Sequence, residues 1–309
     1  MSDYLQQHYS INSFDDSDNW IILNKIETSI KAKIEHVGVP LNKWNIAINY
    51  GIKTGYNNAF IIDKTTRNTL IKADPNSAEL IRPILRGKDI NKYTYNFANL
   101  WIIFIPCGFT NKNRKGNDPE KWFKNTYPGI YSFLTNIEKQ LSATRAKKSK
   151  GLYKRDDQGD YWWELRSCKY MDYFYEQNIA WQRITHENTF CLTSKNMVVL
   201  DSMAFINGAK EKTYYLLAIL NSSIIKFWIK KNVPEYGNTG YRLSNQFVEQ
   251  IPIPLSPKPE LIDCINKIVV QIINNKTICS EEIDEIVFDL YGLNQDEKNY
   301  IKTKQYLKI

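Results

Sequence analysis

The sequence predicts an α+β fold: a mixed α/β domain set between an N-terminal helix and a C-terminal helical tail. Three observations predict it. Apolar residues near the N-terminus recur at three- and four-residue steps. The middle of the chain breaks into short runs rich in Ile, Val, Tyr, Phe and Trp with helical stretches among them. A proline-rich break, "IPIPLSPKPE", then hands over to a second series of helical repeats.

The first helix places Leu23, Ile26, Ile30, Ile34 and Val37 on one face behind the cap candidates Ser17 and Asp18, and Gly38 and Pro40 end it. Residues 1–43 form this helical segment. From Trp44 the pattern changes. "NLWIIFIP", "NIAWQRIT" and "NMVVLDSMAFIN" read as strands, because β-branched and aromatic runs are bounded by Asn, Gly and Asp. Lys121–Leu141 and Thr213–Lys231 read as helices within the same domain, residues 44–255. The prolines from Ile251 to Glu260 suit neither a helix interior nor a central strand. Beyond them, residues 256–309 form the tail. Leu261, Ile265, Ile268 and Ile272 share one helical face there. A second helix starts at Ser280 with Glu281 and Glu282 in its first turn, buries Ile283, Ile286, Val287 and Leu290, and stops at Gly292. Asn294 with Glu297 caps a third.

The 309 residues carry a net charge of +8 at a pI near 9.0. That balance favours a polyanionic partner, nucleic acid or an anionic membrane surface. Insertion into a membrane is excluded as an expectation, since the most apolar run, Tyr214 to Leu220, breaks at Asn221-Ser222-Ser223. The N-terminus shows no basic-then-apolar signal sequence, and five irregularly spaced cysteines make neither a disulfide framework nor a zinc pattern. The expectation is a cytoplasmic, reduced, metal-free protein.

No catalytic constellation emerges. "GIKTGYNNAF" lacks the glycine directly before Lys53 that a phosphate-cradling P-loop requires. There is no Pro-Pro pair for an adenine methyltransferase, and Pro106-Cys107 ends an apolar strand with no cofactor loop, as a buried core cysteine would. Asp296-Glu297-Lys298, the one Asp/Glu-x-Lys tripeptide of nuclease type, sits at a helix start. His8, His36 and His186 have no nucleophile motif beside them.

Binding signals are stronger. From Lys139 to Arg155 inclusive there are seven basic residues and no acidic one, followed by Tyr161, Trp162, Trp163 and Arg166. Such a run beside aromatics can follow a phosphate backbone and place side chains at base edges; the alternative is a solvated loop beside a hydrophobic hairpin. A second cluster holds Arg82, Arg86, Lys88 and Lys92, and "AWQRIT" supplies Gln182 and Arg183. Adjacent strand residues face opposite ways, so at most one of that pair points at DNA.

The segments "LNKWNIAINYGIKTGYNNAFIID", "ELIRPILRGKDINKY", "YWWELR", "IAWQRIT", "YYLLAILNSSIIKFW", "LSNQFVEQIPIP" and "IDEIVFDLYGLNQDEKNYI", in that order from about Trp20 to Ile301, resemble the TaqI-like C-terminal specificity domain. This is the target-recognition region of adenine-specific DNA methyltransferases and of type IIG restriction–modification enzymes. The resemblance implies a module that binds double-stranded DNA at a short sequence and positions a methyltransferase domain or subunit, with or without a nuclease. That partner would bind S-adenosylmethionine and methylate a flipped adenine. Its catalytic tetrad has no matching positions here, so no catalytic residue and no cofactor is assigned to this chain.

Under that reading "GIKTGYNNAF" opens the domain as a polar turn before a strand. Lys53, Thr54 and Asn57 either touch a phosphate or serve only the turn. Side-chain geometry makes Arg145, Arg155, Arg166 and Arg183 guanine candidates and Gln182 an adenine candidate. Lys147, Lys148, Lys150 and Lys154 suit phosphates as flexible point charges. Arg86, Lys88, Trp163, and Tyr241 and Arg242 of "PEYGNTGYRLS" complete the expected DNA face. Two other readings stay open: a specificity domain repurposed to contact only proteins, and a nuclease whose site follows no familiar motif.

Overall fold

The computed structural model describes residues 23–144, 150–237, 240–275 and 280–306; Ser17, Asp18, Arg145, Lys147 and Lys148 lie outside them. In chain order come α1 (Lys25–Val37), β1 (Val39–Pro40), β2 (Ala47–Tyr50), α2 (Asn57–Phe60), β3 (Ile61–Asp63), α3 (Lys64–Ala73), β4 (Ile81–Leu85) and β5 (Leu100–Ile103). Next are α4 (Phe109–Asn113), α5 (Pro119–Thr126), α6 (Pro128–Thr144), β6 (Ile179–Gln182), β7 (Ile184–Thr185), β8 (Phe190–Leu192), β9 (Val198–Val199) and β10 (Met203–Asn207). The chain continues with α7 (Thr213–Asn221), α8 (Ser223–Asn232), β11 (Tyr241–Arg242), α9 (Asn245–Val248), β12 (Pro252–Ile253), α10 (Pro259–Asn275), α11 (Ser280–Leu290) and α12 (Gln295–Tyr306). This is the α+β arrangement expected.

Local chemistry explains where the helices differ from their expected bounds. Helix α1 starts at Lys25 because Asn24 and Glu27 form a reciprocal capping box. The stretch read as one helix over Lys121–Leu141 is two. Pro128 pushes Tyr127 out of the helical region (φ −129°, ψ 59°) and then serves as the first residue of α6. Thr213–Lys231 likewise divides into α7 and α8 at Ser222, which is extended (φ −72°, ψ 160°). The break is held from outside: Asn188 Nδ2 donates to the carbonyls of Leu220 and Ser222, both at 2.8 Å. Asn221 bonds both backbone groups of Phe190.

Four strands form a central antiparallel sheet in the order β2-β10-β6-β8. A second sheet runs β3-β5-β4-β9, with β4 and β9 parallel. Two small ribbons, β1-β12 and β7-β11, stand beside them. The central sheet is buried on both faces, and its period-two alternation sorts side chains into two cores. Ile179, Trp181, Phe190, Leu192, Ala204 and Ile206 face the helices α1, α7, α8, α10, α11 and α12. Ala180, Cys191, Met203 and Phe205 face the second sheet with α5 and α6.

The two sheets meet at one end. Ile52 and Leu200 form a parallel bridge just beyond β2 and β9, and Leu200 N donates to Leu85 O at the end of β4. Arg183 N donates to Ser202 O just beyond β6. The C-terminal ends of β2, β4, β6 and β9 therefore converge on the Leu200–Ser202 turn.

Candidate nucleic-acid interface

Convergence of the strand ends opens a cleft of ≈ 470 Å³ lined by Tyr50, Lys53, Arg166, Tyr170, Arg183 and Asp201 among others. Three cations from three separated segments thus share one surface. Lys53 Nζ and Arg166 Nη1 both approach the Asp157 carboxylate, at 3.2 and 3.3 Å. The Lys53 and Arg166 side chains are 55% and 61% exposed, that of Asp157 only 12%. A ligand in the cleft therefore meets the cations before the carboxylate that orders them.

Arg183 is held differently. Its guanidinium lies over the Tyr50 ring at 4.6 Å and donates from Nη1 to the Asp201 carbonyl at 3.0 Å. Its Nε is buried without a hydrogen-bond partner, and no carboxylate pairs with it among the described residues. A rigid, unpaired cation at a cleft wall is suited to an anionic ligand. Gln182, one residue earlier, points to the other side. Its carboxamide arm packs on Gly87, where an added Cβ would stand 2.7 Å from Gln182 Cγ. That contact brings the Arg86–Lys88 turn to the same end of the molecule. Arg86 is neutralised by a bidentate pair with Asp89 (2.7 and 2.9 Å), whereas Lys88 is exposed.

Three residues expected at the DNA are withdrawn from it. Arg155 is 5% exposed. It donates from Nε to Thr54 O at 2.9 Å and from Nη1 and Nη2 to the carbonyls of Leu152, Trp162 and Glu164. Burial pulls its pKa down to about 10. An arginine so enclosed cannot reach a base edge; it staples the 150–166 loop to the "GIKTG" turn. Thr54 is buried at the other end of that staple, its hydroxyl donating to Asn57 Oδ1 at 2.7 Å. Trp163 is a core residue, stacked between Phe123 and Tyr161 with Nε1 donating to Thr110 Oγ1.

Of the remaining expected residues, Asn57 and Lys154 are exposed, and Lys150 pairs with Asp156. Arg82 and Lys92 do not join the cleft: Arg82, on β4, donates to the carbonyls of Ala78 and Ile81, and Lys92 donates to Asn221 O. Tyr241 is half-buried and Arg242 exposed on the β7-β11 ribbon. The sequence reading missed Tyr50, Asp157, Tyr170 and Asp201. Tyr50 adjoins the "GIKTG" motif and could have been noticed; the others are placed by tertiary contacts with no local signature.

Cys107, far from fully buried, offers Sγ within 4.8 Å of carboxylate oxygens of Asp160 and Glu164. The Glu164 oxygens already accept from the backbone N–H of Gly108, Thr110 and Asp160 (3.1, 2.8 and 3.0 Å), so this cluster caps α4 and closes a loop. Burial pushes the Cys168 and Cys191 thiols up to about 11 and 12, away from thiolate chemistry. No described helix is long and apolar enough to cross a membrane.

A sequence profile of the TaqI-like C-terminal specificity domain matches residues 82–253, more than half of the chain. The chain belongs to that family. The matched span of this specificity domain supplies Arg166 and Arg183 to the cleft, while Lys53 reaches it from outside the span. Comparison with curated protein sequences finds no match. Among solved structures, the type IIL restriction–modification enzyme MmeI, determined in complex with DNA, has a TM-score of 0.53 at 14% identity, over 85% of this chain and 36% of its own. The type IIG restriction endonuclease BpuSI has a TM-score of 0.55 at 13% identity, over 91% of this chain and 32% of its own. Identity this low is a likeness of fold, and the chain spans about a third of the length of either enzyme.

Proposed function

We propose that this specificity domain binds duplex DNA at a short target sequence and positions the catalytic part of a restriction–modification enzyme on it. The observation that carries the reading is the meeting of Lys53, Arg166 and Arg183 on one cleft at the strand ends, with Asp157, the carboxylate that Lys53 and Arg166 share, recessed behind those two. Two exposed cations beside a third fixed in the cleft wall suit the neutralisation of phosphates and the fixing of register. Family membership and the names of the two solved neighbours support a role in restriction–modification.

In the full reading, the partner is an adenine-specific methyltransferase domain, in the same chain or a separate subunit. It supplies S-adenosylmethionine and the catalytic residues in the cytoplasm, with or without an endonuclease. This domain supplies address, not chemistry.

Selection of bound fragments from a randomised duplex pool, repeated at low and near-physiological salt, tests the proposal. The expected result is one short motif enriched at both. Binding that enriches nothing and vanishes with salt would overturn the sequence-reading role and favour the protein-contact alternative.

A further inference from the structure

The β7-β11 ribbon continues directly from Arg183 and offers a second kind of contact. Its register pairs Ile184 with Arg242 and Thr185 with Tyr241. A bridge pairs Tyr241 with Glu235, and Tyr236 N donates to Gly240 O. Directly opposed residues share a face of a ribbon. One face therefore carries Ile184, Arg242 and Tyr236, the other Thr185, Tyr241 and Glu235.

Exposure follows that division for the paired residues of β7 and β11, while Glu235 is exposed at the ribbon's margin. Ile184 and Tyr236 are 39% and 49% exposed, and Arg242 is exposed with no partner for its guanidinium among the described residues. Tyr241, on the other face, packs against the helical core. The outward face thus combines apolar groups with one unpaired arginine, and the ribbon's acidic Glu235 lies behind it. Gly240 lets the strands close: an added Cβ would stand 2.4 Å from Thr185 O, and its φ is +99°.

We infer that this outward face is the base-reading element, lying in the major groove while the Lys53–Arg166–Arg183 cleft holds the neighbouring backbone. Three features support it. A two-stranded ribbon has the width to enter the major groove. An unpaired arginine fork matches guanine O6 and N7, and an exposed isoleucine beside it matches the C5-methyl of thymine. The ribbon also joins the cationic cleft without a break, since Ile184 follows Arg183 in the chain. A phosphate contact alone would leave the conjunction of exposed Ile184 and Arg242 without a purpose. The inference rests on the duplex-reading role proposed above.

Fragment selection with the full chain and with Arg242→Lys, Arg242→Ala and Ile184→Ala separates the two. The wild-type motif should contain a guanine whose preference falls roughly tenfold to a hundredfold in both Arg242 variants. Lysine keeps the charge but not the fork, so Arg242→Lys should retain the wild-type salt slope. Replacing a neighbouring thymine by uracil should weaken wild-type binding several-fold and leave Ile184→Ala unaffected. Thermal unfolding of each variant confirms that it folds. If the variants enrich the wild-type motif unchanged, or if Arg242→Lys keeps full guanine preference, the ribbon does not read bases and the duplex-reading role survives. If the wild-type chain itself enriches nothing, that role fails and the inference with it.

Discussion

Arg155 and Arg166 stand eleven positions apart in one basic, aromatic stretch, yet they have opposite environments. Arg155 is enclosed by four carbonyls, one of them Thr54 O, 101 positions away; the Arg166 side chain is 61% exposed beside Asp157. Arg155→Ala should cost about 3 kcal/mol of stability, because it leaves buried carbonyls without donors around a lost packing arm. Arg166→Ala should stay within about 0.5 kcal/mol of wild type while weakening duplex binding. Urea unfolding with a parallel binding titration checks both. The sequence could not separate the two arginines, since residue type and charge are the same and contact with a distant turn decides burial. Trp163 teaches the same lesson: an aromatic beside a basic run reads as a stacking surface until Phe123 and Tyr161 are found on its two faces.

At the scale of elements, the two places that build the interface depend on close backbone approach. A Cβ at Gly51 would lie 2.0 Å from Leu200 O, so the first residue after β2 can pass the Leu200–Ser202 turn only as glycine. Gly51→Ala should cost about 1–3 kcal/mol and spread the cleft, reducing binding beyond the stability loss. Gly240→Ala should leave the cores intact, seen as an unfolding midpoint close to wild type, and abolish motif selection by distorting β7-β11. Elements with strong local signals were legible: α1, the third tail helix with its Asn294–Glu297 box, and the β6, β9 and β10 stretches. The α5/α6 and α7/α8 divisions were not separated, because hydrophobic periodicity runs through each. Only Pro128 and the Asn188–Asn221 clasp interrupt the backbone. The cleft was legible as residues but not as a place: Lys53, Arg166 and Arg183 were each named, and nothing in their spacing tells that four strand ends meet.

Across the whole molecule the termini of the described chain are clasped together. Glu297 accepts from Ser29 Oγ and Lys33 Nζ of α1, and Glu27 accepts from Tyr300 and pairs with Lys231. Burial alone would raise both carboxyls, but these hydrogen bonds and the capping N–H groups outweigh it and hold both below the usual carboxylate range. The folded pKa is thus depressed, so the stability they contribute is complete above the unfolded value and is lost as pH falls through the folded one. Asp284, pushed up by burial despite donation from Ser223, runs the other way and is relieved by acid. The unfolding midpoint should therefore be flat between about pH 8 and 6 and fall below about pH 4. Glu27→Gln with Glu297→Gln should lower the neutral plateau and shallow the acid decline, which a pH series of thermal melts would show.

The cleft itself is measured most directly by the salt dependence of duplex binding, comparing the full chain with Lys53→Ala/Arg166→Ala/Arg183→Ala. If these three cations neutralise phosphates, the slope of log Kobs against log[salt] becomes shallower by about one for each cation removed. An unchanged slope in a folded triple variant would place the DNA elsewhere on the molecule and contradict the assignment of the strand-end cleft.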